Sequence, residues 1–215
     1  MNNKHQPYGP YEKYFKRFLD CLLSGVAIVV LSPVMIIVAV LVKKKLGSPV
    51  LFTQDRPGLN ERIFRLYKFR TMTDGRDADG KLLPDTERLT SFGKLLRSTS
   101  LDELPELINI FRGDMSIIGP RPLLIRYLTA YTEEEKHRHD VRPGLTGLAQ
   151  VNGRNYVPWD ERLAYDIKYV RKITFLGDLR ILLRTVGKVF KRDDVAVDTD
   201  AVETYLDIER GTSCE

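Results

Sequence analysis

The sequence predicts a helix-rich α+β fold, with an N-terminal membrane segment of helix, break and helix ahead of one compact domain that carries amphipathic helices. Three observations support this. No charged residue occurs from Cys21 to Val42, and a helix of that length reaches about 33 Å at 1.5 Å per residue, enough to cross a hydrocarbon core. Ser32 and Pro33 sit at the centre of that stretch. Elsewhere charged residues are frequent, 29% of the whole chain, so the remainder has the character of a water-exposed domain.

Residues 1–12 read as a loose polar N-terminus and residues 13–46 as the anchor. Lys13, Lys16 and Arg17 precede the apolar stretch, and Lys43, Lys44 and Lys45 follow it. Basic flanks stay in the cytoplasm, so both ends read as lying on the same side. Pro33 lacks a backbone N–H and its ring clashes with the carbonyl four residues back. Ser32 can hydrogen-bond a freed carbonyl within lipid. Two geometries fit: a re-entrant segment that dips into one leaflet and returns, or a kinked transmembrane helix. A cleaved signal peptide does not fit, because the apolar run is too long and lysines stand where small residues should precede a cleavage site.

The rest of the 215-residue chain suffices for one domain of ordinary size, taken as residues 47–192 with a C-terminal tail at 193–215. The net charge of +5 suits anionic lipid, phosphorylated substrates or nucleic acid. Only Cys21 and Cys214 occur, so no disulfide framework is readable, and His5, His137 and His139 lack a zinc spacing. "LFTQDRPGLNERIFRLYKFRTM" predicts two short strands around a Pro57-Gly58 turn. A polar, turn-rich and mobile loop is expected at 73–85. Helices are expected at about 86–97, 101–112 and 132–139, with loops at 113–124 and, glycine-rich and irregular, at 142–155. Two late helices complete the domain at about 158–170 and 176–191.

The last helix has two faces. Leu179, Leu182, Leu183, Val186 and Phe190 recur at helical spacing, while Arg180, Arg184, Lys188 and Arg192 recur every four residues beside them. Such a helix can lie in an anionic membrane surface, or face a core or a second copy of the chain with its basic side in water. A nearby anchor favours the membrane surface.

The stretch "TSLDELPELINIF" holds the candidate chemistry. Ser100 and Glu103 have capping-box spacing, which fits a helix that starts at Leu101; alternatively Asp102 is the N-cap with Pro105 at the third position. Either register puts Asp102 in the first turn, where the helix dipole favours a carboxylate anion. Basic residues surround the pair in sequence: Lys68 and Arg70 in "YKFR", Arg97 before it, Arg112 after it, Arg121 with Pro122 in "GPRP", and Arg142 and Arg154 beside the glycine-rich stretch. Arginine forks fit phosphate oxygens and glycines admit a close backbone. Paired carboxylates among such groups suit a divalent ion with phosphate.

These residues also carry a family resemblance. The Ser32-Pro33 element, "FTQDRPGLNERIFRLYKFRTM", "SLDELPELINIFRGDMSIIGPRP", "VRPGLTGLAQVNGRN" and "YDIKYVRKITFLGDLRIL" resemble the bacterial sugar transferases, the monotopic polyprenyl-phosphate phosphoglycosyl transferases, in order and over about residues 13–192. One departure is Leu148, where many members carry Trp. The resemblance implies transfer of a phospho-sugar from a UDP-sugar to undecaprenyl phosphate with release of UMP, as the first step of exopolysaccharide, capsule, O-antigen or glycoprotein glycan synthesis. It implies Asp102 as nucleophile, Glu103 as its partner, Mg2+ near Asp102, and a place on the cytoplasmic face of the bacterial inner membrane held by a re-entrant anchor. Three other readings are weaker. A nucleotide-sugar glycosyltransferase would use Asp77-Ala78-Asp79 for its metal, but that tripeptide follows no clear strand. A non-enzymatic membrane adaptor would need only the basic face, and no nucleic-acid-binding signature occurs.

Overall fold

The computed structural model describes residues 5–153, 157–191 and 204–212. A short π turn at Tyr11–Phe15 leads into α1, Lys16–Leu46, which runs through Pro33 without interruption. The break expected at Ser32-Pro33 is instead a bridged proline. Pro33 cannot donate to the Val29 carbonyl, and the Ser32 hydroxyl donates to it at 2.8 Å in its place.

The globular domain touches α1 along its whole length. Near the start, Asp20 is buried and accepts from Ser116 Oγ at 2.7 Å and from Ile117 N at 3.0 Å. At the middle, Ala27, Ile28 and Leu31 pack on Leu107, Ile110 and Met115. At the end, Val38, Val42 and Leu46 form a core with Phe69 and Leu96, each such burial worth roughly 1.5–3 kcal/mol. The opposite face of α1 exposes Phe18, Leu22, Val26, Val29, Val30, Ile36 and Ile37. An apolar face of that extent on one helix needs a cover other than water.

Strands β1, Leu51–Pro57, and β2, Ile63–Phe69, form the expected antiparallel hairpin, in register from Leu51↔Phe69 to Pro57↔Ile63. Side chains alternate across a strand, so Leu66 and Lys68 share a face and both reach the central cleft. The 73–85 segment is tied by bridges Met72↔Leu89 and Arg76↔Leu82 rather than left open. The single helix expected at 86–97 is two, α2, Asp85–Arg88, and α3, Ser91–Ser98. Thr90 restarts the chain as an N-cap, its side chain accepting from Gly93 N at 3.1 Å.

The helix expected at 101–112 is also divided, into a 3-10 turn at Leu101–Glu103 and α4, Glu106–Arg112. Pro105 is the N-cap of α4, so neither expected capping register holds. Gly113, at φ +99°, ends α4 in a conformation that L side chains rarely adopt.

The glycine-rich stretch holds structure where irregular loop was expected. Strand β3, Ser116–Ile118, pairs in parallel with β4, Gly144–Thr146. A Cβ at Gly144 or Gly147 would collide with the backbone of Gly119, so the crossing is backbone against backbone. Period-2 alternation has no room to show in strands of three residues. The remaining helices are α5, Glu133–Lys136, which continues as a 3-10 turn at His137–Asp140, then α6, Leu148–Val151, α7, Trp159–Arg171, and α8, Phe175–Lys191. Within the expected tail, α9, Leu206–Glu209, packs on Tyr127, Trp159 and Leu163 through Leu206.

Helix α8 has three faces. Asp178, Ile181, Leu182 and Thr185 turn inward. Leu176, Leu179, Leu183 and Val186 are exposed, and Arg180 and Arg184 are exposed on a third side. Leu182, expected in the outer apolar stripe, packs instead against the core of Ile118, Tyr169 and Ile181. Phe190 and Arg192 lie outside the described side chains.

Candidate active site

Asp102 and Glu103 sit on a tight turn. Ser100, at φ +54°, swings the chain out of α3 into the 3-10 turn that carries the pair. Ser100 caps nothing with its side chain; the Glu103 backbone N–H donates to the Ser100 carbonyl at 3.2 Å instead. Lys68 Nζ donates to Glu103 Oε1 at 2.8 Å, and Arg121 Nη2 donates to the same oxygen at 2.8 Å. Glu106, one turn on, is 2% exposed, and its Oε1 lies 3.2 Å from Lys68 Nζ as an ion pair.

The three carboxyls titrate apart. Burial, reinforced by the adjacent Glu103 charge, pushes Asp102 up to about 6 against the pull of Lys68, Arg97 and Arg121. Burial works the same way on Glu103, but the charges and hydrogen bonds of Lys68 and Arg121 outweigh it and hold Glu103 well below the usual carboxylate range. Burial pushes Glu106 up to about 7 despite the nearby Lys68. The helix dipole therefore does not set the state of Asp102, which lies ahead of α4 in a buried turn.

These groups line one cleft of about 630 Å³. Lys68, Arg70, Arg97, Arg121 and Pro122 all line it with Asp102 and Glu103. Arg97 is held by Thr71 Oγ1 at 3.1 Å, and Arg70 by Asp74 at 2.9 Å. Arg142 is elsewhere: its Nε donates to Gly113 O at 2.8 Å, closing the end of α4 beside α1. Arg112 stacks over Tyr67, also outside the cleft. Arg154 lies outside the described residues. Asp77 folds back on its own loop, accepting from Asp79 N and Lys81 N at 3.0 and 2.8 Å, and does not line the cleft.

A family model described as bacterial sugar transferase matches residues 11–192, which include α1, Asp102, Glu103 and the cleft-lining arginines. The chain belongs to the bacterial sugar transferase family. This sugar transferase is 48% identical over 180 residues to the uncharacterized sugar transferase EpsL of Bacillus subtilis (strain 168), a match covering 84% of this chain and 89% of that one. It is 38% identical over 190 residues to the UDP-glucose:undecaprenyl-phosphate glucose-1-phosphate transferase of Caulobacter vibrioides, covering 83% and 71%. The protein of that name from Klebsiella pneumoniae is 37% identical over 195 residues, but the match covers 86% of this chain and only 42% of that longer relative.

Sequence reasoning missed several cleft residues of this sugar transferase. Glu106 was within reach, since residues three and four apart share a helix face. Arg138 was not: it looks like one of many charges in "EEEKHRHD", yet it is 2% exposed. Its guanidinium donates to Asp166 at 2.8 and 3.1 Å and to the Arg121 carbonyl at 2.7 Å, fixing the turn that presents Arg121. Gln150 Oε1 and Arg56 Nε, both buried, have no hydrogen-bond partner among the described residues and belong to the cleft lining. Buried polar atoms without partners in a cleft point to a polar ligand.

Proposed function

We propose that this chain transfers a phospho-sugar from a UDP-sugar to undecaprenyl phosphate through a covalent intermediate on Asp102. The observation that carries the reading is the unequal dyad: Glu103 is locked by two cations, while the Asp102 carboxylate makes no hydrogen bond among the described residues. The activities for which the Caulobacter and Klebsiella relatives are named support the same reaction.

The chemistry divides into two displacements. An Asp102 oxygen bonds to the sugar-bearing phosphorus as the bond from that phosphorus to the UMP oxygen breaks. UMP leaves with the bonding electron pair. A phosphate oxygen of the polyprenyl phosphate then takes the phosphorus, and the Asp102 carboxylate is regenerated. Lys68, Arg97 and Arg121 stabilise the charge that shifts to the leaving phosphate. Glu103 fits an orienting role: a carboxyl held anionic far below neutrality is a poor proton shuttle at pH 7 but fixes Lys68 and Arg121.

No group of three or more His, Cys, Asp or Glu side chains among the described residues is arranged to hold an ion. Mg2+ is commonly bound by one or two carboxylates together with substrate phosphates, and Asp102 is the carboxylate that would hold it here. When bound it would supply neutralisation of phosphate charge.

The anchor reading rests on α1. The domain contacts α1 near both ends and at its middle, which supports both basic flanks lying on one, cytoplasmic, side of the inner membrane. The outer apolar face of α1 and the exposed Leu176, Leu179, Leu183 and Val186 of α8 would then enter one leaflet, with Arg180 and Arg184 at anionic headgroups. A water-soluble donor and a membrane-held acceptor could both reach Asp102 there.

The test is UMP release from a panel of UDP-sugars by the membrane-reconstituted protein, together with mass spectrometry of protein given UDP-sugar alone. A phospho-sugar adduct on the Asp102 peptide is expected. UMP that appears only when the lipid acceptor is added would show direct displacement and overturn the covalent route.

A further inference from the structure

Residues 204–212 lie beyond the stretch that matches the family, 11–192, yet they are bound tightly to the domain. Leu206 is fully buried beside Tyr127 and Trp159. Trp159 Nε1 donates to Thr204 O at 2.9 Å, and Arg126 Nε donates to Asp207 at 2.6 Å. Arg210 reaches Glu135 at 2.6 and 2.8 Å and Asp160 at 2.5 Å. Between the Thr204 and Leu206 anchors, Tyr205 is left 45% exposed, with the Arg126 guanidinium over its ring at 4.6 Å.

Tyr205 lines the same cleft as Asp102 and Glu103. Along the adjoining wall, α7 sets Trp159, Arg162 and Asp166 at positions i, i+3 and i+7, a rise of about 10 Å. A chain of contacts joins that wall to the dyad: Asp166 to Arg138, Arg138 to the Arg121 carbonyl, and Arg121 to Glu103. Tyr205 is thus a large aromatic side chain, fixed on both sides by its own anchors, at the part of the cleft joined to the dyad through the basic groups. A ring so held is a stacking surface for another ring.

We propose that residues 204–212 complete the donor cleft, and that Tyr205 is a specificity-determining residue that stacks on a ring of the nucleotide sugar. This rests on the donor reading above. The nucleobase and the pyranose both present a flat face to such a surface, and the experiment separates them.

The experiment compares the full-length, membrane-reconstituted wild type with Tyr205→Phe, Tyr205→Leu and Tyr205→Ala. It measures UMP release across a panel of UDP-sugars and inhibition by UMP. Tyr205→Ala should raise KM for the preferred UDP-sugar roughly tenfold, with a smaller effect on kcat, as loss of one stacking contact requires. Tyr205→Phe should retain the wild-type KM. Tyr205→Leu keeps bulk without an aromatic face and should follow Tyr205→Ala, which decides the matter if the alanine variant melts early. A parallel weakening of UMP inhibition places the ring at the base. Unchanged UMP inhibition with a flattened preference among UDP-sugars places it at the sugar. If KM, UMP inhibition and sugar preference are all unchanged in the leucine variant of an active enzyme, this proposal alone is overturned. A wild type that releases no UMP from any UDP-sugar overturns the donor reading and this proposal with it.

Discussion

Lys68 reaches across 2.8 Å from strand β2 to Glu103, on the turn before α4, and ties the hairpin to the dyad. The same ammonium lies 3.2 Å from Glu106, so one cation serves two buried carboxyls. Breaking a buried pair by removing one partner typically costs about 3–5 kcal/mol, because the other charge is left uncompensated. Lys68→Met should therefore lower stability by roughly 3 kcal/mol and abolish most turnover. Denaturant unfolding at pH 7.5 and UMP release measure the two effects. A stability within about 0.5 kcal/mol of wild type, the usual scatter of a surface change, would mean that the bridge is not formed.

Glu103→Gln retains the shape but removes the charge that Lys68 and Arg121 share. We expect severe loss of turnover, with a phospho-sugar adduct still detectable at long incubation, because the proposed nucleophile, Asp102, remains. Complete absence of adduct would assign Glu103 to the first displacement itself.

Asp102 should make the first displacement pH-dependent. In the proposed mechanism the attacking form is the carboxylate, and burial together with the Glu103 charge pushes its pKa up to about 6. In the free protein, kcat/KM should rise about tenfold per pH unit below that value and level off above it. A profile flat from pH 5 to 8 is the contrary result.

The same carboxyl opposes stability at neutral pH. The folded state holds the Asp102 proton more tightly than the unfolded chain, whose Asp titrates near 3.9. The stabilisation from that proton is complete below about pH 4 and is lost as pH rises through about 6. Asp102→Asn should therefore be inactive but more stable at pH 7.5, by on the order of 2–3 kcal/mol, with the gain shrinking at pH 4.5. Paired unfolding curves at the two pH values test this; a variant less stable than wild type at pH 7.5 contradicts it.

Both flanks of α1 should lie on one side of the membrane. Cysteines placed at Lys16 and Lys44 should be labelled only from the cytoplasm in intact cells, and labelling of either from outside would exclude re-entry. The three-residue change of Arg180, Arg184 and Lys188 to Gln should weaken the dependence of activity on anionic lipid, at about 1 kcal/mol per basic residue near the surface. Equal activity of wild type and variant at all lipid charges would assign this face to another role.

The long apolar helix, its basic flanks, the hairpin, the two late helices and the acidic pair were legible in the sequence. Each is local: it shows as a run, a period or a turn signal within about twenty residues. The family resemblance ordered these pieces and named Asp102 before Glu103. What tertiary structure decided is what those pieces touch. Ser32 and Pro33 signal a break, but the Ser32 hydroxyl takes over the Val29 carbonyl and α1 continues. Strands β3 and β4 are three residues each and pair across 28 positions, so no local pattern announces them. Arg142 and Arg138 are both arginines near the same motifs, yet one closes the end of α4 and the other holds the Arg121 turn. The Asp102 and Glu103 carboxyls are adjacent in sequence and nearly identical in chemistry. Their separation in acidity comes from which of them meets Lys68 and Arg121 in a buried cleft, and charge contacts across that distance in the chain exist only once it is folded.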